Sequence, residues 1–441
     1  MRLNHLWDLK TILSCCYPIR AILSQASRSF DSVMADRLAE SDIPPMTIPL
    51  LMAATLLTLL PAGVRDPLVE WSGPPGSSKP HLTRTARGDL LLSWLEPRAG
   101  QRFALRATSR VGNQWSEPVT VVESDRFFVN WADFASITET ATGAWVVHWL
   151  EKTAAKSYAY HIRLAASKDR GRTWSAPVTV HSDTSATEHG FAAMVPLATG
   201  AVAVAWLDGR QMTDSAGAMT VRTANWNPDG SVSAETTLDP RTCECCQVSM
   251  AAAKAGLVAV YRDRSDQEVR DIAIVRQIGG QWSAPAKVGD DGWVSRQCPV
   301  NGPSIAAVGD AVGVAWFTAA NGTPMVKAAL SQDGGRTFGL PIRIDDGNPL
   351  GRVHVQVTGP GRGAVTWLEA KENDGVWRVR QIGTGRDTQP ARTVGATTRT
   401  RDAGFPRTAL IGSDLYVAYT EPGSTVSAPG RVRVTKLTLT R

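Results

Sequence analysis

The chain has 441 residues, and its 47 Lys and Arg against 41 Asp and Glu give a formal net charge of +6. This modest excess contains no basic block, so the composition does not suggest nucleic-acid binding. With 38 Gly, 26 Pro and 15 Trp but few long apolar runs, the chain is typical of a β-rich protein, which at this length can still be a single domain.

The N-terminal region does not share the pattern of the rest of the chain. Residues 1–45 carry scattered charges without apolar periodicity, and we interpret them as a non-native or disordered extension, with Met1, Met34 or Met46 as the true start. Residues 46–65 begin with an apolar run that is short for a membrane span of roughly 20 residues and that precedes small residues suited to cleavage. We predict a signal peptide here, with an uncleaved membrane anchor as the alternative, and hence a periplasmic or secreted protein.

Residues 66–441 repeat one pattern seven times, a Gly, Asn or Asp turn followed by an apolar strand that ends in an aromatic residue. Neighbouring aromatic residues are 51 to 57 positions apart, a length that suits four short strands and their turns. The seven aromatic residues are Trp94, Trp149, Trp206, Tyr261, Trp316, Trp367 and Tyr419. We therefore predict an all-β fold, a single β-propeller of seven four-stranded antiparallel blades.

The last of the seven units lacks a fourth strand. The segment Pro67-Leu-Val-Glu-Trp71 precedes the first full unit and is predicted to supply that strand. This pairing would close the ring and remove the exposed sheet edges of an open array. Six blades are the alternative, if the terminal units pair differently.

Two turns carry a longer motif, Ser167-Lys-Asp-Arg-Gly-Arg-Thr-Trp174 and Ser331-Gln-Asp-Gly-Gly-Arg-Thr-Phe338. Two weaker copies keep only the glycine and the tryptophan. The pattern Ser-x-Asp-x-Gly-x-Thr-Trp resembles the Asp-box, or BNR repeat, of the sialidase superfamily of β-propellers. Because Asp and Gly already explain a tight turn, we predict that Asp169 and Asp333 bond their own backbone and are not catalytic.

The resemblance implies an exported protein that binds or hydrolyses a glycan, as an exo-sialidase-like glycoside hydrolase does. Family sialidases use an arginine triad, a Tyr–Glu nucleophile pair and an Asp acid/base, and their first arginine lies in a Phe/Tyr-Arg-Ile-Pro motif that opens the first blade. The corresponding segment here is Lys79-Pro-His81-Leu-Thr-Arg84. The motif is absent, so no catalytic residue of the family is transferred to a position in this chain.

Carboxylates recur two residues after the aromatic residue of each unit, where a strand leaves the core. They are Glu96, Glu151, Asp208, Asp263, Glu369 and Glu421, with Thr318 in the remaining unit. One interpretation is a charged, solvated strand end, and the other is an acidic rim that holds a general acid. The catalytic candidates are Glu96, Glu151, Asp208 and Asp263, with Arg262 to bind the carboxylate of a glycan or of another small acidic ligand.

Another set of polar residues lies at or near the starts of the first strands, which line the channel of a propeller. The set is His81, Asp133, His189, Cys246, Cys298, His354 and Asp402. Because these strands surround one channel, we expect the set to converge at one mouth, on the face that carries the acidic rim.

Four cysteines, Cys243, Cys245, Cys246 and Cys298, lie at the starts of two consecutive units. Disulfides are the default in an exported protein. One bridge from the cluster to Cys298 is easy but leaves two thiols, whereas bridges within the cluster are strained. A metal site with His189 as a further ligand is the second interpretation, since thiolates and imidazole select copper or zinc, and a redox role is the third.

These cysteines define the alternative function, a non-enzymatic extracytoplasmic propeller with a Cys/His metal or redox site. A protein-interaction scaffold is a third possibility that has no sequence mark, because fold alone does not determine function. We expect a monomer that contacts a membrane only through an uncleaved N-terminal segment.

Overall fold

The computed structural model describes residues 66–155, 158–212, 217–384, 388–423 and 428–440. The predicted N-terminal extension and signal peptide therefore lie outside the described residues. Within the described ranges, no helix has the length and apolar character that a membrane crossing requires. The helices found there are short 3₁₀ turns at Ala99–Gln101, Ala320–Gly322 and Arg401–Ala403.

The described strands form seven antiparallel sheets, which are the seven predicted blades of an all-β propeller. Blade 7 takes its outermost strand from β1 (Leu68–Ser72). The strands of blades 1 to 3 are β2 (Ser78–Arg84), β3 (Leu90–Pro97), β4 (Phe103–Val111), β5 (Gln114–Trp115) and β6 (Val119–Ser124); β7 (Ser136–Glu139), β8 (Trp145–Lys152), β9 (Tyr160–Ser167) and β10 (Val178–Thr179); and β11 (His189–Pro196), β12 (Val202–Asp208), β13 (Met219–Trp226) and β14 (Thr236–Thr242).

The remaining blades follow the same order along the chain. Their strands are β15 (Ser249–Ala253), β16 (Gly256–Arg262), β17 (Ile272–Ile278), β18 (Gln281–Trp282) and β19 (Ala286–Lys287); β20 (Ser304–Val308), β21 (Ala311–Thr318), β22 (Met325–Ser331) and β23 (Ile342–Arg343); β24 (Pro349–Gly359), β25 (Arg362–Lys371), β26 (Asp374–Gly383) and β27 (Arg392–Thr397); and β28 (Arg407–Ile411), β29 (Asp414–Glu421) and β30 (Arg431–Thr438). The first strands of neighbouring blades contact one another around the ring, which places the starts of these strands at one mouth of the channel.

The core lies between blades. The second strand β12 is buried along its whole length, which is why the sequence shows a continuous apolar run there and not an alternating pattern. Val146 and Leu150 of β8 share one buried cluster with Val202 and Trp206 of β12. Each second strand is thus covered on both faces only because a neighbouring blade packs against it.

The two motif-bearing turns have the hydrogen bonds expected of turn-forming aspartates. Asp169 accepts from the Ser167 hydroxyl at 2.8 Å, from the Thr173 amide at 2.9 Å and from the Thr173 hydroxyl at 2.6 Å. Asp333 repeats these three bonds with Ser331 and Thr337 at the same distances. The turn-forming role that the sequence predicts for both aspartates is confirmed.

The ring closes as predicted, because β1 pairs antiparallel with β30, the third strand of blade 7, with Leu68 opposite Lys436. Trp71 of β1 lies 4.9 Å from Trp94 and 5.8 Å from Trp115, measured between ring centroids. The N-terminal strand therefore joins blade 7 to blade 1 through aromatic packing as well as through backbone hydrogen bonds.

We predict that Trp71→Ala lowers the free energy of unfolding by about 2–3 kcal/mol, because the change leaves a cavity between blades 7 and 1. Leu68→Ala on the same strand is the control, since the Leu68 side chain is 57% exposed and its loss should cost less than about 0.5 kcal/mol. Urea unfolding followed by tryptophan fluorescence measures both variants. Equal stabilities of the two variants would contradict the role of Trp71 in closure.

Candidate functional site

The carboxylates of the predicted acidic rim are bonded within their own blades. Five of them face an arginine on the adjacent third strand. The pairs are Glu96 with Arg106 (3.9 Å), Glu151 with Arg163 (3.9 Å), Asp208 with Arg222 (4.0 Å), Glu369 with Arg378 (3.7 Å) and Glu421 with Arg433 (2.8 Å). Three of the same carboxylates accept the indole N–H of their own second strand, from Trp94, Trp206 and Trp367 at 2.8, 2.8 and 3.1 Å.

Blade 5 shows that the contact between the indole and a carboxylate serves the structure of the blade. Thr318 stands at the carboxylate position of this blade, and Asp291, from another position in the chain, makes the contact instead. Asp291 accepts from the Trp316 indole at 2.7 Å and pairs with Lys327 at 2.5 Å. A buried indole N–H needs an acceptor, and an ionised acceptor needs a cation. The structure therefore distributes Glu96, Glu151 and Asp208 over three blades and does not bring them together as one site.

Arg262 and Asp263 also have contacts of their own. The Arg262 side chain is buried and donates to the main-chain carbonyls of Asn301 (2.9 and 3.0 Å), Arg270 (2.6 Å) and Phe317 (2.6 Å). These carbonyls occupy the guanidinium, so Arg262 joins blades 4 and 5 and does not face a ligand. Asp263 is half-buried, and burial is the main cause of its raised pKa.

At the mouth, two carboxyl groups meet on one tyrosine. The Tyr160 hydroxyl lies 3.0 Å from Asp133 Oδ2 and 2.7 Å from Glu188 Oε1. Asp133 precedes the first strand of blade 2, Glu188 precedes the first strand of blade 3, and Tyr160 begins the third strand of blade 2. Tyr160 and Asp133 are buried, whereas Glu188 is partly exposed. Glu188 is thus the member of this triad that a ligand in the mouth can reach.

Both carboxyl groups of the triad hold their protons unusually firmly. Burial raises the pKa of Asp133 to about 8, although hydrogen bonds to its carboxylate oppose the shift. Burial also raises the pKa of Glu188 to about 7, with the nearby Glu244 carboxylate adding to the effect. The buried Oδ1 of Asp133 has no hydrogen-bond partner among the described residues, which fits a neutral carboxylic acid. The triad therefore has a proton to donate near neutral pH.

A wall of arginines and glutamates from blade 4 stands next to the triad. Arg264 and Arg270 each bond both Glu244 and Glu268, and Arg270 reaches these two carboxylates at 3.0 Å each. Arg270 is almost fully buried, whereas the side chains of the other three are about one-fifth exposed. Their remaining donors and acceptors can hydrogen-bond a polar ligand.

The cysteines lie beside this wall. Cys245 and Cys298 form a disulfide with Cα atoms 6.2 Å apart, and Cys243 and Cys246 are buried free thiols. Of the arrangements that the sequence left open, the structure has the single bridge from the cluster to Cys298 with two remaining thiols. The Sγ atom of Cys243 lies 4.0 Å from that of Cys298. The disulfide uses two of the sulfurs that the predicted metal site required.

The Cys243 thiol is acidic for a buried group. Burial alone would raise its pKa, but hydrogen bonds from Cys246 and from the Cys245 amide lower the pKa to about 7. The guanidinium groups of Arg262 and Arg270 act in the same direction. A thiol with this pKa is partly ionised at neutral pH and is therefore nucleophilic.

His189 lies with two other histidines and not with the cysteines. One ring nitrogen each of His161, His181 and His189 lies within 4.8 Å of the others, and the three cysteines Cys243, Cys245 and Cys298 form a separate group. His189 Nε2 is 3.0 Å from Asp183 Oδ2. The predicted Cys/His set is thus divided between two places in blades 2 to 5.

The other histidines of the predicted mouth line the channel itself. His81 and His354 border a cavity of about 150 Å³ together with Arg407. His354 Nδ1 lies 2.7 Å from the Thr408 hydroxyl, and His81 Nδ1 accepts the Ile137 amide at 3.3 Å. Both rings are half-buried, and desolvation lowers the pKa of each. His81 and His354 thus form hydrogen bonds within the wall of the channel.

Comparison with known proteins identifies the family. The model of the BNR repeat-like domain matches residues 100–358, more than half of the chain. The chain belongs to the BNR repeat-like family. The resemblance to sialidase-superfamily β-propellers is thereby confirmed. No curated protein sequence matches this BNR repeat-like protein.

Several solved structures are similar to this chain at low sequence identity. A PL25 ulvan lyase bound to a GlcA–Rha3S saccharide has a TM-score of 0.50 at 12% identity and covers 85% of this chain and 94% of its own. An α-L-arabinofuranosidase from Fusarium graminearum has a TM-score of 0.47 at 12% identity, covering 85% and 98%. The NanB sialidase of Streptococcus pneumoniae has a TM-score of 0.42 at 12% identity, covering 85% and 70%.

Sequence reasoning placed Asp133 at the mouth of this BNR repeat-like propeller but missed Tyr160, Glu188, His161 and His181. Glu188, next to the candidate His189, carried the one available signal, a carboxylate at the start of a first strand. The histidines at 161 and 181 lie outside the repeating positions, so no period indicated them.

We predict that Asp133→Asn flattens the pH dependence of stability. Between about pH 4 and pH 8 the folded protein keeps the Asp133 proton that the unfolded chain has lost, so the free energy of unfolding falls as pH rises through this window. Removing this titration should reduce the slope by up to about 1.4 kcal/mol per pH unit. Urea unfolding at pH 5, 6, 7 and 8 measures it.

Asp266→Asn is the matched control, since the Asp266 side chain is 80% exposed and its loss should leave the slope unchanged. An Asp133→Asn protein with the slope of the wild type would show that this carboxyl group ionises normally.

Proposed function

We propose that the protein binds a glycan at the mouth formed by blades 2 to 4, and that Glu188 is the general acid that protonates a glycosidic oxygen during its cleavage. The observation that carries this proposal is the Asp133–Tyr160–Glu188 triad, in which the partly exposed carboxyl group has its pKa raised to about 7 by burial. A raised pKa is what a carboxylic acid needs to donate a proton at neutral pH.

The surroundings of Glu188 support this assignment. The Tyr160 hydroxyl donates to the Glu188 carboxyl group. The buried Asp133 beside it keeps its proton at pH 7, so Asp133 adds no negative charge next to Glu188. The partly exposed Arg264, Glu244 and Glu268 on blade 4 supply hydrogen-bonding groups of the kind that sugar hydroxyls or a uronate carboxylate would use. The arrangement supports proton donation to a polar, oxygen-rich substrate.

The fold is consistent with glycan handling. The three structures described above are an ulvan lyase bound to a GlcA–Rha3S saccharide, an α-L-arabinofuranosidase and a sialidase. These proteins act on different sugars, so the fold does not select a substrate for this chain. A panel of arabinans, sialosides and uronate-containing polysaccharides is therefore the appropriate first screen.

We predict that Glu188→Gln lowers cleavage of the best substrate of this panel by about 10²-fold or more, because glutamine cannot donate the proton. Cleavage by the wild type should also decline as pH rises through about 7, where Glu188 loses its proton. Reducing-end release and unsaturated product absorbance, followed from pH 5 to pH 9, measure both effects.

Glu151→Gln is the control, because Glu151 belongs to the predicted rim but pairs with Arg163 of its own blade and with Arg126 of the connection that precedes it. This variant should keep wild-type activity. Absence of both cleavage and binding across the panel would refute the proposal. Equal losses in the two variants would refute the role of Glu188.

A second candidate function, thiol–disulfide exchange, is favoured by the 4.0 Å distance between Cys243 and Cys298. The Cys243 thiolate attacks Sγ of Cys298, a Cys243–Cys298 bond forms, the Cys245–Cys298 bond breaks, and Cys245 leaves as a thiolate. Atoms and electrons balance without an external oxidant. The pKa of about 7 for Cys243 provides the thiolate.

We predict that Cys245→Ser protein contains a Cys243–Cys298 disulfide after equilibration in a glutathione redox buffer, since Cys243 is already in position to replace the missing sulfur. Acid quenching, alkylation and mass-spectrometric disulfide mapping detect it. Cys246→Ser is the control and should retain the wild-type Cys245–Cys298 bridge. Finding Cys298 as a free thiol in Cys245→Ser would exclude the exchange.

A further inference from the structure

Three histidines and an aspartate meet where the chain passes from blade 2 to blade 3. His161 lies on β9, His181 and Asp183 lie in the segment that connects β10 to β11, and His189 is the first residue of β11. The rings of His181 and His189 stack with centroids 3.8 Å apart, and the His161 ring stands edge-on to both, at 4.6 and 5.3 Å. The cluster is a feature of one blade junction, and no other blade repeats it among the described residues.

The hydrogen bonds of the two buried rings determine their tautomers. His181 Nδ1 lies 2.9 Å from the Asp183 carbonyl oxygen, and His189 Nδ1 lies 3.3 Å from the Tyr160 carbonyl oxygen. A carbonyl only accepts, so both Nδ1 atoms carry the proton, and a neutral ring then has a lone pair on Nε2. Backbone carbonyls on the far nitrogen are the usual partners of metal-bound histidines.

Both Nε2 atoms lack a hydrogen-bond donor. They are buried and have no hydrogen-bond partner among the described residues. His189 Nε2 instead faces Asp183 Oδ2 at 3.0 Å and Asp208 Oδ2 at 3.9 Å. A lone pair that faces carboxylate oxygens is unfavourable unless a cation lies between them. Asp183 is held in place by the Ser185 and Thr187 hydroxyls at 2.5 and 3.3 Å.

We propose that His161, His181 and His189, with Asp183, bind one divalent transition-metal ion of the zinc type. Imidazole nitrogens and one carboxylate oxygen are ligands that Zn²⁺ prefers, in a tetrahedral arrangement with Zn–N distances of about 2.0–2.1 Å. The ligand nitrogens lie within 4.8 Å of one another, so modest rotations of the stacked rings bring them onto a common ion. The metal would join the third strand of blade 2 to the connection that enters blade 3.

This site is separate from the cysteine group and from the proton-donating triad, although it adjoins the triad. His189 follows Glu188 in the chain, and its Nδ1 bonds the carbonyl of Tyr160. A bound metal therefore stabilises the backbone that carries two members of the triad without itself contacting a substrate. Metal content and thermal stability are accordingly the appropriate measurements, and neither depends on glycan cleavage.

The test is titration of the full chain, first treated with chelator and dialysed, with ZnCl₂ by isothermal calorimetry and thermal unfolding. We expect one Zn²⁺ per chain and an increase in Tm of several degrees at saturation. His181→Gln and His189→Gln should each weaken binding at least 10²-fold. His354→Gln removes a half-buried histidine elsewhere in the channel, and Cys243→Ser removes a thiol, and both should bind as the wild type does.

Cobalt substitution of the wild type tests the ligand set independently of whether the variants fold. Tetrahedral Co²⁺ with nitrogen and oxygen ligands should show visible absorption bands without the near-ultraviolet charge-transfer band of cobalt thiolate. A thiolate band, the absence of binding by either metal, or undiminished Zn²⁺ binding in folded His181→Gln protein would each overturn the proposal.

Discussion

The propeller depends on packing between its blades, because no blade covers its own faces. Each second strand is an apolar ribbon that needs a neighbour on both sides. The turn glycines show how closely the blades approach. A Cβ atom on Gly171 would lie 2.6 Å from Val119 of blade 1, and one on Gly335 would lie 3.0 Å from Ile274 of blade 4. The motif glycine is thus required both by its left-handed backbone and by contact with the preceding blade.

A second constraint explains most of the charged residues. In four blades a tryptophan at the end of a buried strand donates its indole N–H to a carboxylate, and that carboxylate pairs with an arginine or a lysine. Blade 5 makes the same contact with residues from other positions, because Asp291 accepts the indole N–H and pairs with Lys327. Five of the six carboxylates at regular positions are consequently paired with an arginine. Asp133 and Glu188, whose pKa values are raised to about 8 and about 7, stand outside that repeated contact.

The difference between residues at repeated positions and residues in the connections explains what the sequence could predict. The period of the aromatic residues is a direct consequence of blade packing, so it predicted seven blades and closure by the N-terminal strand. The same period drew attention to Glu96 and Asp208, which serve the scaffold. Glu188 and His181 lie in the connection between blades 2 and 3, where no repeat constrains the sequence and where only three-dimensional folding brings Tyr160 and His161 to meet them. A bridge to Cys298 was one of the alternatives that the Cα spacing rule allowed, but the position of Cys243 beside that bridge depended on the fold.

The high proton affinity of the mouth is produced by packing of the triad against the main chain. A Cβ atom at Gly190 would lie 2.0 Å from Asp133 Oδ2 and 2.7 Å from the Tyr160 ring, so the backbone of β11 lies directly against the triad. Only glycine permits that approach, and the approach is what removes water from Asp133. Because desolvation is the main cause of the raised pKa of both carboxyl groups, their proton affinity depends on how firmly the start of β11 is held. His189 of the histidine cluster directly follows Glu188 in the chain. The contacts that hold His189 at the start of β11 therefore also affect the proton affinity of Glu188 and Asp133.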